Sequence, residues 1–328
     1  MQGTSQAMTA RRRASDPLVS IVAPFYNESE TIGIFYETIT QVLLELEIRH
    51  YELVCINDGS KDDTLSKLVA LAQTDDRIRV IDLSRNFGKE SALTAGVDES
   101  VGDVVVPIDC DLQDPPQLIG VMLERWRQGF DVVLAKRSDR SSDGYLKRVT
   151  AAMFYRLHNK LSDTSIPDNV GDFRLMDRRV VEALKLLPER RRFMKGLFAW
   201  VGFKSAVIEY AREPRVAGST KFSGLKLVNF AIEGITSFST APLRLTTYMG
   251  MVISAAAFLY AIYIVVRTMF HGADWPGYSS MLTVILFLGG VQLISVGIVG
   301  EYVGRIYMES KQRPVYIIQD RYQKNRSD

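Results

Sequence analysis

The chain has 328 residues, of which 47% are hydrophobic and 24% are charged, a composition typical of a folded protein rather than a disordered one. Its formal net charge of +2 excludes the strongly basic surface on which nucleic-acid binding depends, so we expect no nucleic-acid partner. The two cysteines, Cys55 and Cys110, occur in apolar segments without metal-ligand spacing. This spacing excludes a disulfide framework and a zinc site, and it favours a reducing compartment.

The first residues form a basic lead-in that we expect to be disordered over residues 1–16. The lead-in contains Arg11, Arg12 and Arg13, and no apolar stretch long enough for a signal peptide follows them. Contact with anionic lipid and simple solvation are both compatible with this charge.

From Leu18 to Ala135, short apolar segments alternate with segments whose apolar residues recur at helical spacing. The apolar segments predict five buried strands, at Leu18–Pro24, Tyr51–Asn57, Ile78–Leu83, Val104–Ile108 and Val132–Ala135. Helices are predicted between them, over Glu28–Leu46 and Thr64–Ala72, from Glu90 onward, and from Pro115 to Trp126. This alternation predicts an α/β fold with a mostly parallel, Rossmann-like sheet and helices on both faces.

Clusters of polar residues follow four of these strands. They occupy residues 26–28, 58–60, 85–89 and 109–114. In open α/β sheets, ligands bind beyond the carboxyl ends of the strands. We therefore expect the clusters to meet at one edge of the sheet and to form the functional site.

Two uncharged segments, Leu245–Val266 and Trp275–Gly300, predict a pair of membrane-spanning helices. Each is longer than the roughly 20 residues that a helix needs to cross the hydrocarbon core of a bilayer. A buried helical hairpin inside a soluble core is the alternative. Basic residues flank the pair on both outer sides: Lys221, Lys226, Arg244, Arg305, Lys311 and Arg313. Their placement predicts that both termini and the catalytic domain face the cytoplasm.

These patterns predict five regions in the chain. They are the lead-in at 1–16, a catalytic domain at 17–222, an interfacial amphipathic helix region at 223–242, a transmembrane hairpin at 243–307 and a cytoplasmic C-terminal tail at 308–328.

The clearest chemical signal is a pair of carboxylates, Asp109 and Asp111, directly after a predicted strand. Both can face one cavity, where they suit a hard divalent cation that also binds diphosphate oxygens. A solvated acidic turn is the alternative for such a pair on its own. Asp58, beside Gly59, is either an Asx turn or helix cap, or a carboxylate that accepts a hydrogen bond from a nucleoside.

The ordered polar motifs resemble those of family 2 inverting glycosyltransferases, which have the GT-A fold. The resemblance is closest to the dolichol-phosphate mannosyltransferase-like branch, and within it to bacterial polyprenyl-phosphate (bactoprenol) glucosyltransferases. It covers roughly residues 18–313. The motifs that carry it are Pro24–Glu28, Asn57–Ser60, Leu83–Lys89, Asp109–Pro116, Gly171–Asp177 and Arg212–Phe222, together with the two C-terminal spans.

The resemblance implies a role for each matching residue. It assigns the donor nucleotide to Pro24, Tyr26, Glu28, Asp58, Lys89, Asp109 and Asp111. It assigns Mg2+ or Mn2+ to Asp109, Asp111 and Gln113. It assigns the acceptor phosphate to Arg85, Arg174, Arg212, Arg215 and Lys221. Asp172 would be catalytic, as a base or as an orienting group. Cys110 replaces the small alanine common in this family, and we expect it to pack rather than to bind metal.

The implied reaction is inverting transfer of a monosaccharide to undecaprenyl or another polyprenyl phosphate, at the cytoplasmic face of a bacterial inner membrane. UDP-glucose is the expected donor, with GDP-mannose, UDP-N-acetylglucosamine or a modified pentose donor as alternatives. A homo-oligomer, a tetramer in particular, and a flippase partner are also implied. Position alone allows Arg137 and Arg148 to face the diphosphate.

Two other functions are compatible with some of these patterns. A processive polysaccharide synthase would carry Q-x-x-R-W, but the nearest segment, residues 189–193, lacks both the Gln and the Trp. A catalytically inactive scaffold that binds a nucleotide-sugar would be indicated by loss of Asp109, Asp111 or Asp172, and all three are present.

Overall fold

A computed structural model describes residues 16–138, 170–187, 189–190, 192, 194–210, 241–271 and 277–324. The predicted lead-in, apart from Asp16, lies outside these residues. Most of the predicted interfacial helix region, at 223–240, also lies outside them. Within the described residues, one mixed sheet of eight strands forms the centre of the fold. The predicted α/β architecture is thereby confirmed.

The eight strands begin with the five that the apolar segments predict. They are β1 (Val19–Phe25), β2 (Tyr51–Asn57), β3 (Ile78–Leu83), β4 (Val104–Pro107), β5 (Val132–Arg137), β6 (Val170–Asp177), β7 (Ser205–Tyr210) and β8 (Ile318–Tyr322). Their order across the sheet is β7-β5-β6-β4-β1-β2-β3-β8. Strands β1 to β4 pair in parallel, whereas β6 and β8 pair antiparallel to their neighbours.

The described helices number eight. They are α1 (Ile32–Glu45), α2 (Thr64–Thr74), α3 (Lys89–Glu99), α4 (Leu118–Arg127), α5 (Arg178–Lys185), α6 (Met194–Trp200), α7 (Ala241–His271) and α8 (Tyr278–Ser310). Helices cover both faces of the sheet, as predicted. One face buries Phe35 of α1 and Trp126 of α4 in its core, and the other buries Leu93 of α3 and Val180 of α5.

Helix α3 packs unusually close to the sheet, and this closeness fixes the position of its first residue, Lys89. A Cβ atom on Gly96 would lie 2.3 Å from a side-chain carbon of Val22 and 2.4 Å from one of Ile56. Only a residue without a side chain fits there, because buried cores tolerate little added volume. Gly96 therefore brings α3 down onto β1 and β2.

Helices α7 and α8 are long and apolar enough to cross a membrane, over Leu245–Ile264 and Phe287–Ser310. Helix α8 continues past the predicted end of the second span at Gly300. An ion pair one turn apart, between Arg305 and Glu301 at 2.9 Å, stabilises the continuation. A helix does not have to end where its apolar stretch ends.

Part of the segment predicted as a separate tail, 308–328, belongs instead to the sheet. Its residues Ile318–Tyr322 form β8, which pairs antiparallel with β3 at the edge of the catalytic sheet. The catalytic domain therefore extends beyond the predicted 17–222 and includes residues that follow α8.

Candidate active site

The carboxyl ends of β1, β2, β3 and β4 lie at one edge of the sheet because these strands are parallel. The loops after them hold the four predicted polar clusters. The first two loops are tied together, since the Asn27 amide donates to Ser60 Oγ at 3.0 Å and Asn27 Oδ1 accepts from the Lys61 amide at 2.8 Å. The half-buried Tyr26 and Glu28 flank Asn27 in the first of these loops.

Asp58 is buried beneath the loop of residues 84–88, which we call the β3–α3 loop. Its Oδ1 accepts from the Phe87 amide at 2.7 Å. Its Oδ2 accepts from the Gly88 amide at 3.0 Å and from Asn86 Nδ2 at 2.9 Å. Burial raises the pKa of Asp58, and the Phe87 and Gly88 amides offset part of that rise. In this arrangement Asp58 anchors the β3–α3 loop, and its predicted contact with the nucleoside stays a prediction.

Gly59 permits the close approach of this loop to the end of β2. Its φ of +62° lies in the left-handed region, and a Cβ atom there would lie 2.3 Å from the carbonyl carbon of Arg85. Any side chain at this position would displace the backbone of the β3–α3 loop.

Lys89 joins two predicted site residues that are distant in sequence. Its Nζ lies 2.7 Å from Asp109 Oδ1 and 3.0 Å from Asp172 Oδ2. Burial opposes the charge on Lys89, but the Asp172 and Asp109 carboxylates outweigh burial and hold the pKa of Lys89 well above its ordinary value. About half of the Lys89 side chain stays exposed, with 46% of its surface accessible. The ammonium group therefore lies where the loops meet, at the carboxyl-end edge of the sheet.

The loop after β4 arranges the carboxylates of the predicted metal motif. Leu112 adopts a φ of +51° and is buried, and Asp111 Oδ1 accepts from the Gln113 amide at 3.3 Å. Cys110 is buried in the core, which confirms its predicted packing role. Asp109 keeps 28% of its side-chain surface exposed, so it remains accessible to solvent.

The residues present fit a divalent cation that is shared with a diphosphate. In the described residues, no group of three or more His, Cys, Asp or Glu side chains converges. Mg2+ is usually bound through one or two carboxylates together with substrate phosphates, and not inside an all-protein cage. Asp109 and Asp111 supply that number of carboxylates.

Three further side chains at this edge connect β5, β7 and the metal motif. Tyr210 donates a hydrogen bond to Asp114, and Arg137 Nε donates to the Tyr210 hydroxyl at 3.3 Å. Arg137 Nη2 also lies 3.7 Å from Asp114 Oδ1. Position in the sequence alone allows Arg137 to face the diphosphate, whereas no sequence pattern singles out Asp114 or Tyr210. The available signal was strand length, because β5 continues to Arg137 and not to Ala135.

The predicted acceptor residues fall into three groups. Arg85 is exposed, and its guanidinium lies 3.9 Å from the centre of the Phe87 ring. Arg174 is buried, and it donates to the Gly171 carbonyl at 2.6 Å and stacks 4.0 Å from the Phe198 ring. These contacts brace the start of β6, beside Asp172. Arg212, Arg215 and Lys221, like Arg148, lie outside the described residues.

Two family descriptions match the chain. "Glycosyl transferase family 2" matches residues 20–185, and "GtrB C-terminal hairpin" matches residues 241–306. The first match contains the four site loops after β1 to β4 and the start of β6, but not Tyr210 at the end of β7. The second contains most of α7 and α8.

Named relatives match almost the whole chain. The bactoprenol glucosyl transferase of Shigella phage SfV is 55% identical over 306 residues, covering 93% of this chain and 99% of that protein. The prophage bactoprenol glucosyl transferase homolog of Escherichia coli K12 is 54% identical over 300 residues, covering 92% of this chain and 98% of that protein.

Solved structures with similar folds are more distant in sequence. Mannosyltransferase PcManGT from Pyrobaculum calidifontis, in complex with GDP-Man and Mn2+, is 15% identical with a TM-score of 0.44, and the match covers 87% of this chain and 88% of that chain. Glucosyl-3-phosphoglycerate synthase from Mycobacterium tuberculosis is 22% identical with a TM-score of 0.45, covering 69% and 79%. From the family matches and the full-length relatives, this chain belongs to glycosyl transferase family 2 and carries a GtrB-type C-terminal hairpin.

Proposed function

We propose that the chain transfers glucose from UDP-glucose to the phosphate of a polyprenyl lipid, with inversion at the anomeric carbon. The names of the relatives, which are bactoprenol glucosyl transferases at more than half identity, support this sugar and this acceptor. The observation that carries the proposal is the convergence of Lys89, Asp109 and Asp172 at one edge of the sheet. There the Lys89 ammonium group can lie between the bound donor and the bound acceptor.

The donor would bind over the loops after β1, β2 and β4. The nucleoside would be contacted by Pro24, Tyr26, Glu28 and Asp58. Asp58 would also act indirectly, by anchoring the β3–α3 loop. Asp109, Asp111 and Gln113 would hold Mg2+ or Mn2+. When bound, that ion supplies positive charge that stabilises the departing nucleoside diphosphate.

The acceptor phosphate needs little help to become a nucleophile. The second pKa of a phosphate monoester is about 6, so the group is largely ionised at neutral pH. Asp172 forms a salt bridge with Lys89, with 3.0 Å between Asp172 Oδ2 and Lys89 Nζ. This contact favours an orienting role, in which Asp172 holds the ammonium group toward the reacting phosphates. The acceptor oxygen would then attack the anomeric carbon from the side opposite the leaving group.

The proposed acceptor is a lipid, so it would reach the site from the membrane. We infer that α7 and α8 span the bacterial inner membrane, with the catalytic domain and both termini in the cytoplasm, because basic residues flank the pair on both outer sides. Arg85, Arg212, Arg215 and Lys221 would meet the lipid phosphate, since guanidinium groups bind phosphate through paired hydrogen bonds. The predicted tetramer and flippase partner stay predictions.

The test is transfer by the full-length protein in detergent or liposomes. Undecaprenyl phosphate and Mn2+ would be combined with UDP-glucose, GDP-mannose or UDP-N-acetylglucosamine, and lipid-linked sugar would be measured. Asp111→Asn would accompany the parent chain, with Asp63→Asn as the matched control. Asp63 is an exposed carboxylate at the start of α2 that makes no side-chain capping hydrogen bond.

Lipid-linked glucose formed by the parent and by Asp63→Asn, but not by Asp111→Asn, is the expected result. Product from another nucleotide-sugar alone would overturn the donor. Metal-dependent nucleotide binding without turnover of any donor would overturn the reaction and indicate a nucleotide-sugar-binding scaffold.

A further inference from the structure

The segment after α8 returns to the catalytic sheet and pairs with the strand that leads into the active site. Strand β8 lies antiparallel to β3, with Ile318 opposite Leu83. The Ser84 amide, at the start of the β3–α3 loop, donates to the Ile317 carbonyl at 3.0 Å. Main-chain pairing therefore continues to the point where the loop leaves the sheet.

Two side chains of the same segment hold the other end of helix α3. The Tyr316 hydroxyl donates to Asp98 Oδ2 at 2.9 Å. The Arg321 guanidinium makes a two-pronged contact with Glu99, at 3.0 and 2.7 Å. Asp98 and Glu99 are the last two residues of α3. Paired hydrogen bonds of this kind fix geometry better than a single contact does.

The β3–α3 loop lies between the two elements that this segment holds. The loop donates three hydrogen bonds to the Asp58 carboxylate, from Asn86, Phe87 and Gly88. It ends at Lys89, whose ammonium group contacts Asp109 and Asp172. A shift of β3 relative to α3 would therefore displace Lys89 together with the loop residues that cover Asp58.

The same segment is continuous with α8. Glu309, in the last turn of α8, accepts hydrogen bonds from the Arg190 amide at 3.0 Å with both carboxylate oxygens. The chain then runs from α8 through residues 311–315 to Tyr316 and β8. The end of the helix and the edge of the sheet are thus joined by a short connection.

We propose that Tyr316, Ile317 and Arg321 are positioning residues that hold the β3–α3 loop, and with it Lys89, in the arrangement that binds the donor. This inference rests on the proposed function, because it takes the sheet edge at Lys89 as the donor site. It assigns a role in the reaction to residues that follow α8 and that act through β3 and α3.

The experiment uses the full chain with Tyr316→Phe, Arg321→Ala and the double substitution. Lys324→Ala is the control, since Lys324 is an exposed cation of the same segment with no side-chain contact among the described residues. Hydrogen exchange of the peptide that contains residues 84–90 would be followed without substrate. Initial rates would then give the KM for UDP-glucose and kcat separately.

In the double variant we expect exchange in this peptide to quicken by about tenfold, because two of the contacts that hold the loop are lost. We expect the donor KM to rise by about tenfold while kcat changes by less than about twofold, the pattern of lost ground-state binding. Tyr316→Phe alone should show a smaller change in the same direction, and Lys324→Ala should match the parent.

Unchanged exchange and unchanged KM in the double variant would overturn the proposal, as would a fall in kcat with the KM unchanged. The exchange measurement needs no donor or acceptor. If exchange quickens but the parent transfers no sugar, the proposed function fails, whereas the contact between this segment and the loop is confirmed.

Discussion

The ammonium group of Lys89 lies 3.0 Å from the carboxylate of Asp172, although these residues belong to different layers of the fold and are predicted to have different roles, donor binding for Lys89 and catalysis for Asp172. Lys89 starts α3, and Asp172 lies on β6, an antiparallel strand among parallel ones. The contact is possible because β6 inserts between β4 and β5. Lys89 is thereby a cation shared by Asp109 of the predicted metal motif and Asp172 of β6.

Replacing Lys89 with methionine tests that shared cation. We expect kcat/KM to fall about a hundredfold, because both carboxylates lose a partner that neutralises them. Sugar transfer to polyprenyl phosphate is the measurement, and Lys61→Met, in an exposed loop, is the control. Parent-like activity in Lys89→Met would contradict the role of the ion pair.

Replacing Gly59 with alanine tests the packing of the β3–α3 loop. A Cβ atom would lie 2.3 Å from the Arg85 carbonyl carbon, at a backbone φ that alanine disfavours. We expect the free energy of unfolding to fall by about 2 kcal/mol or more. Gly33→Ala is the control, because it lies in α1 with no atom within 4 Å of the added carbon. Equal melting temperatures for the two variants would be inconsistent with this packing.

Strand β8 brings Asp320 opposite Asp82 of β3. Burial raises the pKa of Asp82, the hydrogen bond from Asn57 offsets part of the rise, and the Asp320 charge adds to it. A carboxyl group with a raised pKa favours folding at a pH below its ordinary value of about 4, and this contribution is lost as the pH rises through the folded-state pKa.

Replacing Asp320 with asparagine should therefore raise the melting temperature at pH 7, and the gain should shrink as the pH falls toward about 4. Thermal unfolding across this range is the measurement. Glu124→Gln, an exposed carboxylate of α4, should show no such pH-dependent gain. A gain that grows toward low pH would have the wrong sign.

Replacing Arg174 with methionine separates two roles for this residue. Its guanidinium contacts main-chain oxygen and the Phe198 ring, so we expect a loss of about 2 kcal/mol in unfolding free energy. The KM for polyprenyl phosphate should stay near that of the parent. Arg85→Met is the matched exposed change and should do the reverse. A raised acceptor KM with unchanged stability would instead support the predicted phosphate contact of Arg174.

Sequence patterns predicted strands β1 to β5 well, but they did not predict β6, β7 or β8. Strands β1 to β5 match the predicted segments closely, because buried parallel strands are continuous apolar runs. Strand β6 contains Gly171, Asp172 and Arg174, and β8 contains Asp320 and Arg321, so neither has such a run. Both strands are defined by pairing with distant partners, a relationship that local periodicity does not contain.

The candidate site was predictable to a similar extent. The position of polar residues at strand ends predicts that Asp58, Lys89 and Asp109 meet at one edge of the sheet. The contacts between them required the structure, because hydrogen bonds from the β3–α3 loop to Asp58 depend on Gly59 and on the register of β3. Asp114, after β4, and Tyr210, at the end of β7, meet across the ends of β5 and β6, and no spacing rule relates these two residues.

The late position of β8 in the chain has a consequence for biosynthesis. At a translation rate of about 5–20 residues per second, the edge of β3 waits on the order of ten seconds or more for its partner, since both long helices are made in between. During that interval β3 presents unpaired main-chain groups, which can pair with another chain. The nascent enzyme therefore completes its catalytic sheet only after its hairpin has left the ribosome.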